Sequence, residues 1–65
     1  MFNYERMAEL IREKGIEQKT VAEAVGVSEQ AVSYFVRGLK SPSIEVLSRI
    51  AKVLDVSAAE LIKEA

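Results

Sequence analysis

The sequence contains no cysteine and no histidine. Without cysteine there is no disulfide and no thiolate metal site. Without either residue, Cys/His zinc sites, Ser-His-Asp triads and Cys-His dyads are excluded. Proline occurs once and glycine three times, so there is no Pro- or Gly-rich linker. No apolar run approaches the roughly 20 residues that a membrane span needs. A charged residue, Glu5, already follows in the first few positions, unlike a secretory signal. The expected compartment is therefore the cytoplasm, with no membrane partner.

What is present is a chain of 65 residues, 49% hydrophobic and 29% charged. That is the size of one small domain. A chain this short buries only about 60% of the surface it exposes unfolded. Lacking staples, it must rely on efficient helix packing or on dimerisation. Nine basic and ten acidic residues give a net charge of −1, with a pI of about 5.4. A generic nucleic-acid binder is basic, so this balance stands against DNA unless the charge is unevenly spread. Residues 11–40 hold Arg12, Lys14, Lys19, Arg37 and Lys40 against Glu13, Glu17, Glu23 and Glu29, a net of +1. Few neutralising contacts imply a shallow salt dependence.

Apolar positions recur at helical spacing along the whole chain. Tyr4, Met7, Ala8 and Ile11, widened by Leu10, predict a first helix over 4–14, ended by Gly15. Val21, Ala22 and Val25 predict a second over 18–25, ended by Gly26. Glu17 before it is a poor cap, and Thr20-x-x-Glu23 mimics a capping box too late in the helix to start it. Ser28 caps a third helix over 29–36, with Val32 and Phe35 inward and Gly38 at its end. Pro42 keeps Leu39–Ser41 a loop. Ser43 caps a fourth helix over 44–54, with Leu47, Ile50, Ala51 and Leu54 inward. Ser57-x-x-Glu60 reads as a capping box opening a last short helix through Leu61 and Ile62. Val46, Val53, Val56 and Ile62 either finish the core or form a dimer patch. Val56 reads as core and Ile62 as interface. The fold class is all-α, one domain over 1–65 with a helix-turn-helix over about 18–37.

The informative segment is Gln18–Phe35, QKTVAEAVGVSEQAVSYF. Two short helices meet at a tight turn containing glycine, the helix-turn-helix signature. Small Ala22 lets the next helix cross closely. Gly26 takes positive φ at little cost, and Val27 fills the corner. With Val32 and Phe35 facing inward, Glu29, Gln30, Ser33 and Arg37 stay outside, with Tyr34 beside them. Gln suits adenine, Glu accepts from cytosine N4, and Tyr can touch a thymine methyl. On an isolated helix the same residues would be an ordinary solvated face. The turn before them favours base contact.

The chain resembles the five-helix, lambda-repressor-like DNA-binding domain of the Cro and phage-repressor type. The matching residues are Gln18, Val21-Ala22-Glu23, Val25-Gly26-Val27-Ser28, Val32-Ser33, Arg37-Gly38, Pro42-Ser43, Leu47, Ile50-Ala51-Lys52, Leu54, Val56-Ser57 and Glu60-Leu61. The resemblance implies that the helix over 29–36 is the recognition helix. Glu29, Gln30, Ser33 and Tyr34 are the expected base readers. Gln18, Lys19, Arg37, Lys40 and Ser41 are the expected phosphate contacts. It further implies a double-stranded DNA operator, a homodimer, and a repressor-like transcriptional regulator. No cofactor, metal or small-molecule site is expected, and no enzymatic activity. Glu60 and Glu64 are a pair of carboxylates without a nucleophile, base or pocket.

Three positions depart from the family pattern. Glu17 replaces a Ser or Thr cap, a loss of about 0.5–2 kcal/mol. Ile11 and Val36 stand where many members carry a buried Arg–Glu pair. Replacing both charges by an apolar contact removes two desolvation penalties, so Ile11 and Val36 are expected to touch. Glu29 puts a carboxylate where phosphates come close. With the acidic pI, it motivates the alternative reading of a helical protein-interaction module that keeps the fold without binding specific DNA.

Overall fold

The computed structural model describes residues 1–63. Glu64, and with it the Glu60–Glu64 pair, lies outside the described residues. Four α-helices follow the Ser and Gly punctuation of the sequence: α1 Tyr4–Lys14, α2 Gln18–Val25, α3 Glu29–Val36 and α4 Ile44–Val53. Ser28 Oγ accepts from the Ala31 amide at 3.0 Å, and Ser43 Oγ accepts from the Val46 amide at 3.2 Å. Glu17 makes no side-chain capping bond. Asn3, a cap that the apolar pattern does not reveal, accepts from the Arg6 amide at 3.1 Å.

The expected fifth helix is a 3-10 turn, Ala58–Leu61. Ser57 makes no side-chain cap there, so the capping box does not form. Both halves of the box are engaged elsewhere: the Glu60 amide donates to Ser57 O at 3.1 Å, and the Glu60 carboxylate accepts from Arg6 Nε at 3.0 Å, 54 residues away in sequence. The turn leads into an antiparallel bridge between Phe2 and Ile62. Asn3 N donates to Leu61 O at 2.8 Å and Lys63 N to Met1 O at 2.6 Å. The two ends of the described chain thus lie side by side.

α2 packs on α3 and α4, α1 on α3, and the 3-10 turn on α1 and α4. Met7, Val21, Val25, Val32, Ile50, Leu54 and Leu61 are fully buried, so every element contributes to one core. Each fully buried side chain of this kind is worth about 1.5–3 kcal/mol. No polar or charged residue is buried among those described. Ile11 is in this core and Val36 packs against it, with no charge at either position. Val46, Val53 and Val56 also pack against the core, whereas Ile62 is half-exposed. No helix is long and apolar enough to cross a membrane.

Tyr4 departs from the expected inner face of α1. It is 41% exposed, and its ring lies across Gly38. A Cβ built on Gly38 would stand 2.9 Å from three carbons of that ring. Gly38 also has φ +73°, the constraint that favours glycine there, and any side chain would in addition have to displace the Tyr4 ring. Tyr4 therefore ties the start of α1 to the loop after α3.

Candidate nucleic-acid interface

The turn between α2 and α3 is built from backbone geometry. Gly26 takes φ +87°, with open space where a Cβ would be. Its requirement is conformational rather than steric. The amides of Gly26 and Val27 both donate to Ala22 O, at 2.8 and 3.1 Å. These bonds satisfy an orphan carbonyl at the end of α2 and turn the chain sharply. Val27 is half-buried against the core. Arg49 Nη1 of α4 approaches Val25 O at 3.5 Å, placing a cation at the negative end of α2.

α3 is anchored from behind by Val32 and Phe35, both buried. That leaves the opposite face outward. Glu29 and Gln30 are exposed in its first turn, and Ser33 and Tyr34 are half-buried further along. Arg37 follows the helix as an exposed C-cap. Gln18 is half-buried at the first position of α2, and Lys19 beside it is exposed. Lys40 and Ser41 are exposed in the loop after α3.

Four of these residues are brought together. Gln30 Nε2 donates to Tyr34 Oη at 2.9 Å. Arg37 Cζ and Lys40 Nζ lie over the Tyr34 ring, 5.4 and 5.3 Å from its centroid. Both distances fall in the range of a cation–π attraction. Arg37 Nε also donates to Ser33 O at 3.3 Å. Gln18, Lys19, Glu29 and Ser41 make no side-chain hydrogen bond or ion pair among the described residues. The sequence places Tyr34 beside Gln30 and Arg37, as observed, but gives no sign of Lys40. The i, i+4 spacing of Gln30 and Tyr34 carries the first of these pairings. The approach of Lys40 depends on the turn at Gly38 and has no local signal.

The remaining charge is organised elsewhere. Arg6 pairs with Glu60 at 2.6 Å, with Glu13 at 3.8 Å, and with Glu9. Hydrogen bonding to Glu60, then Glu9, raises its pKa further above the ordinary arginine range. Lys63 pairs with Glu5 at 3.1 Å. Beside these residues runs an apolar groove of about 510 Å³, whose walls include Met1, Phe2, Pro42, Ile44, Leu47 and Ile62. Ile44 is 87% exposed on its rim.

Two short helices crossing at a tight glycine turn, with the second carrying an outward polar face, define a helix-turn-helix domain. The chain belongs to the helix-turn-helix family of the Cro and phage-repressor type, matching that family over residues 7–61. It is 40% identical over 55 residues to y4dJ, an HTH-type transcriptional regulator of Sinorhizobium fredii, covering 85% of this chain and 71% of that one. It is 36% identical over 61 residues to the HTH-type transcriptional regulator SinR of Bacillus licheniformis, covering 92% of this chain and 55% of SinR. The chain thus spans about half of that relative's length. Among solved structures, the P22 c2 repressor in complex with a synthetic operator superposes with a TM-score of 0.89 at 30% identity. That match covers 97% of this chain and 96% of the repressor.

Proposed function

We propose that the protein is a sequence-specific double-stranded DNA-binding transcriptional regulator, repressor-like and acting in the cytoplasm without catalysis. One observation carries this reading. α3 is held on its inner side by buried Val32 and Phe35, with Ala31 and Val36 packed beside them, so Glu29, Gln30 and Arg37 project outward from a rigid support. A helix presented this way fits the major groove, its N-terminal residues reaching furthest in. The likeness to a repressor bound to operator DNA supports the same reading.

In this reading Gln30 reads adenine and Glu29 accepts from a cytosine amino group, with Ser33 and Tyr34 behind them. Gln18, Lys19, Arg37, Lys40 and Ser41 contact phosphates on either side. A homodimer sets two copies of α3 about 34 Å apart, in successive major grooves. We place the second copy on the groove beside Ile44. Its wall includes Ser41 and Pro42 of the loop after α3, so a contact there keeps both recognition helices close to the two-fold axis. Ile44→Asp with Ile62→Asp should then convert a sedimenting dimer to monomer and leave the helical spectrum intact.

Selection from a library of random duplexes at low salt tests the function. The expected outcome is a two-fold motif with half-sites one helical turn apart. Gln30→Ala should relax preference at one base position by about 1–3 kcal/mol. Failure to enrich any motif would sink sequence-specific binding and return the chain to the interaction-module reading.

A further inference from the structure

Tyr34 is the best-connected side chain on the outer side of α3. Its hydroxyl accepts from Gln30 Nε2 at 2.9 Å. Its ring carries Arg37 and Lys40 at 5.4 and 5.3 Å. Its backbone carbonyl accepts from Leu39 N at 2.9 Å. The residue is half-buried, so both ends of it are fixed. Gln30 is the opposite case: exposed, long, and tied at one atom only.

That single tie matters for base reading. An unrestrained Gln amide rotates and flips freely. Bidentate contact with adenine needs one orientation, with the amide oxygen facing N6 and the amide nitrogen facing N7. The bond to Tyr34 uses one hydrogen of Nε2. The second hydrogen and Oε1 stay free, and these are the donor and acceptor that adenine requires. Fixing a Gln side chain before binding removes an ordering cost worth about tenfold in affinity.

We propose that Tyr34 is a positioning residue: it holds the Gln30 amide in its base-reading orientation and does not supply the base contact itself. The inference rests on the DNA-binding reading above. It shifts the thymine contact expected for Tyr34 to a role through Gln30. The hydroxyl is engaged by Gln30 and the ring by two cations.

The test compares wild type, Gln30→Ala, Tyr34→Phe and the double variant. Each is measured against the selected duplex and its three alternatives at the position that Gln30→Ala relaxes. Tyr34→Phe keeps the ring and its cations and removes only the hydroxyl. It should flatten preference about 5- to 10-fold at that same position. Preference elsewhere and the salt slope should not change. In the Gln30→Ala background it should add nothing. The free protein gives a second readout without DNA: in Tyr34→Phe the Gln30 side-chain amide resonances should move to the values of a solvated amide. Unchanged preference in Tyr34→Phe overturns the proposal. So does relaxation at a different base position, which would make Tyr34 the reader. Unmoved Gln30 amide resonances overturn it as well. If wild type enriches no motif, the DNA reading falls and takes the base-reading role with it. The amide resonances then still report whether the hydroxyl holds Gln30.

Discussion

The outer faces of α1 and α3 are both polar helix surfaces, but they dispose of their charge in opposite ways. On α1 and the adjoining chain end, Glu5, Glu9, Glu13 and Glu60 surround Arg6 and Lys63. Four carboxylates against two cations leave that cluster at −2. On α3 and its following loop, Arg37 and Lys40 collect over an aromatic ring with no carboxylate partner among the described residues. Outside the α1 cluster, the described chain has seven basic residues (Arg12, Lys14, Lys19, Arg37, Lys40, Arg49, Lys52) against five acidic ones (Glu17, Glu23, Glu29, Glu45, Asp55), a net of +2. That excess is Arg12 and Lys14 near the end of α1, while residues 17–40, which span α2, α3 and the adjoining loops, are neutral: Lys19, Arg37 and Lys40 balance Glu17, Glu23 and Glu29. A net charge is a poor guide to a binding face when the fold sorts its charges this way.

The strongest way to break the contrast is at its seam. Gly38 and Tyr4 join the start of α1 to the loop that holds Lys40. Gly38→Ala combines left-handed strain with a 2.9 Å clash against the Tyr4 ring. It should destabilise the domain by about 2–4 kcal/mol, read from chemical denaturation. Tyr4→Ala in the same background should recover the steric part and leave the conformational part. A variant as stable as wild type would show that the seam carries no load.

A smaller effect separates the two faces by function. Lys40→Ala and Arg37→Ala should each weaken binding to all duplexes alike, lowering the salt slope by about 1. Lys63→Ala removes the same charge from the α1 side and should leave that slope unchanged. Equal slopes for Lys40→Ala and Lys63→Ala would mean that DNA does not distinguish the faces.

The smallest effect sharpens the comparison from the paired side. Glu60→Gln weakens the principal bond to Arg6. It should lower the melting temperature slightly, by an amount that shrinks as salt is added, without altering base preference. A change in preference would show that the α1 cluster reaches the recognition helix.

The helix boundaries were legible because Ser28, Ser43, Gly15 and Gly26 are local signals whose meaning does not depend on distant residues. α1, α2 and α3 fall where periodicity and caps put them, and α4 ends one residue earlier than expected, at Val53. The misreadings share one cause. Tyr4 continues an apolar stripe, but its ring is drawn to a glycine 34 positions on. Glu60 completes a capping pattern, but Arg6 at the other end of the chain takes its carboxylate. Asn3 caps α1 just ahead of the apolar pattern used to find the helix. For the site, each residue was placed on the correct element. Helical spacing already sets Gln30 and Arg37 beside Tyr34; the approach of Lys40 was not legible, because it needs the turn at Gly38 to bring Lys40 back over the ring.

The antiparallel bridge between Phe2 and Ile62 has a consequence for topology. It puts the first and last described residues of the fold next to each other, so a short linker could join them into a ring. Opening that ring between α3 and α4 would start the polypeptide at α4 and finish it with the helix-turn-helix. The recognition helix would then sit at the very end of a permuted chain, made after α4 rather than before it, with its packing the same.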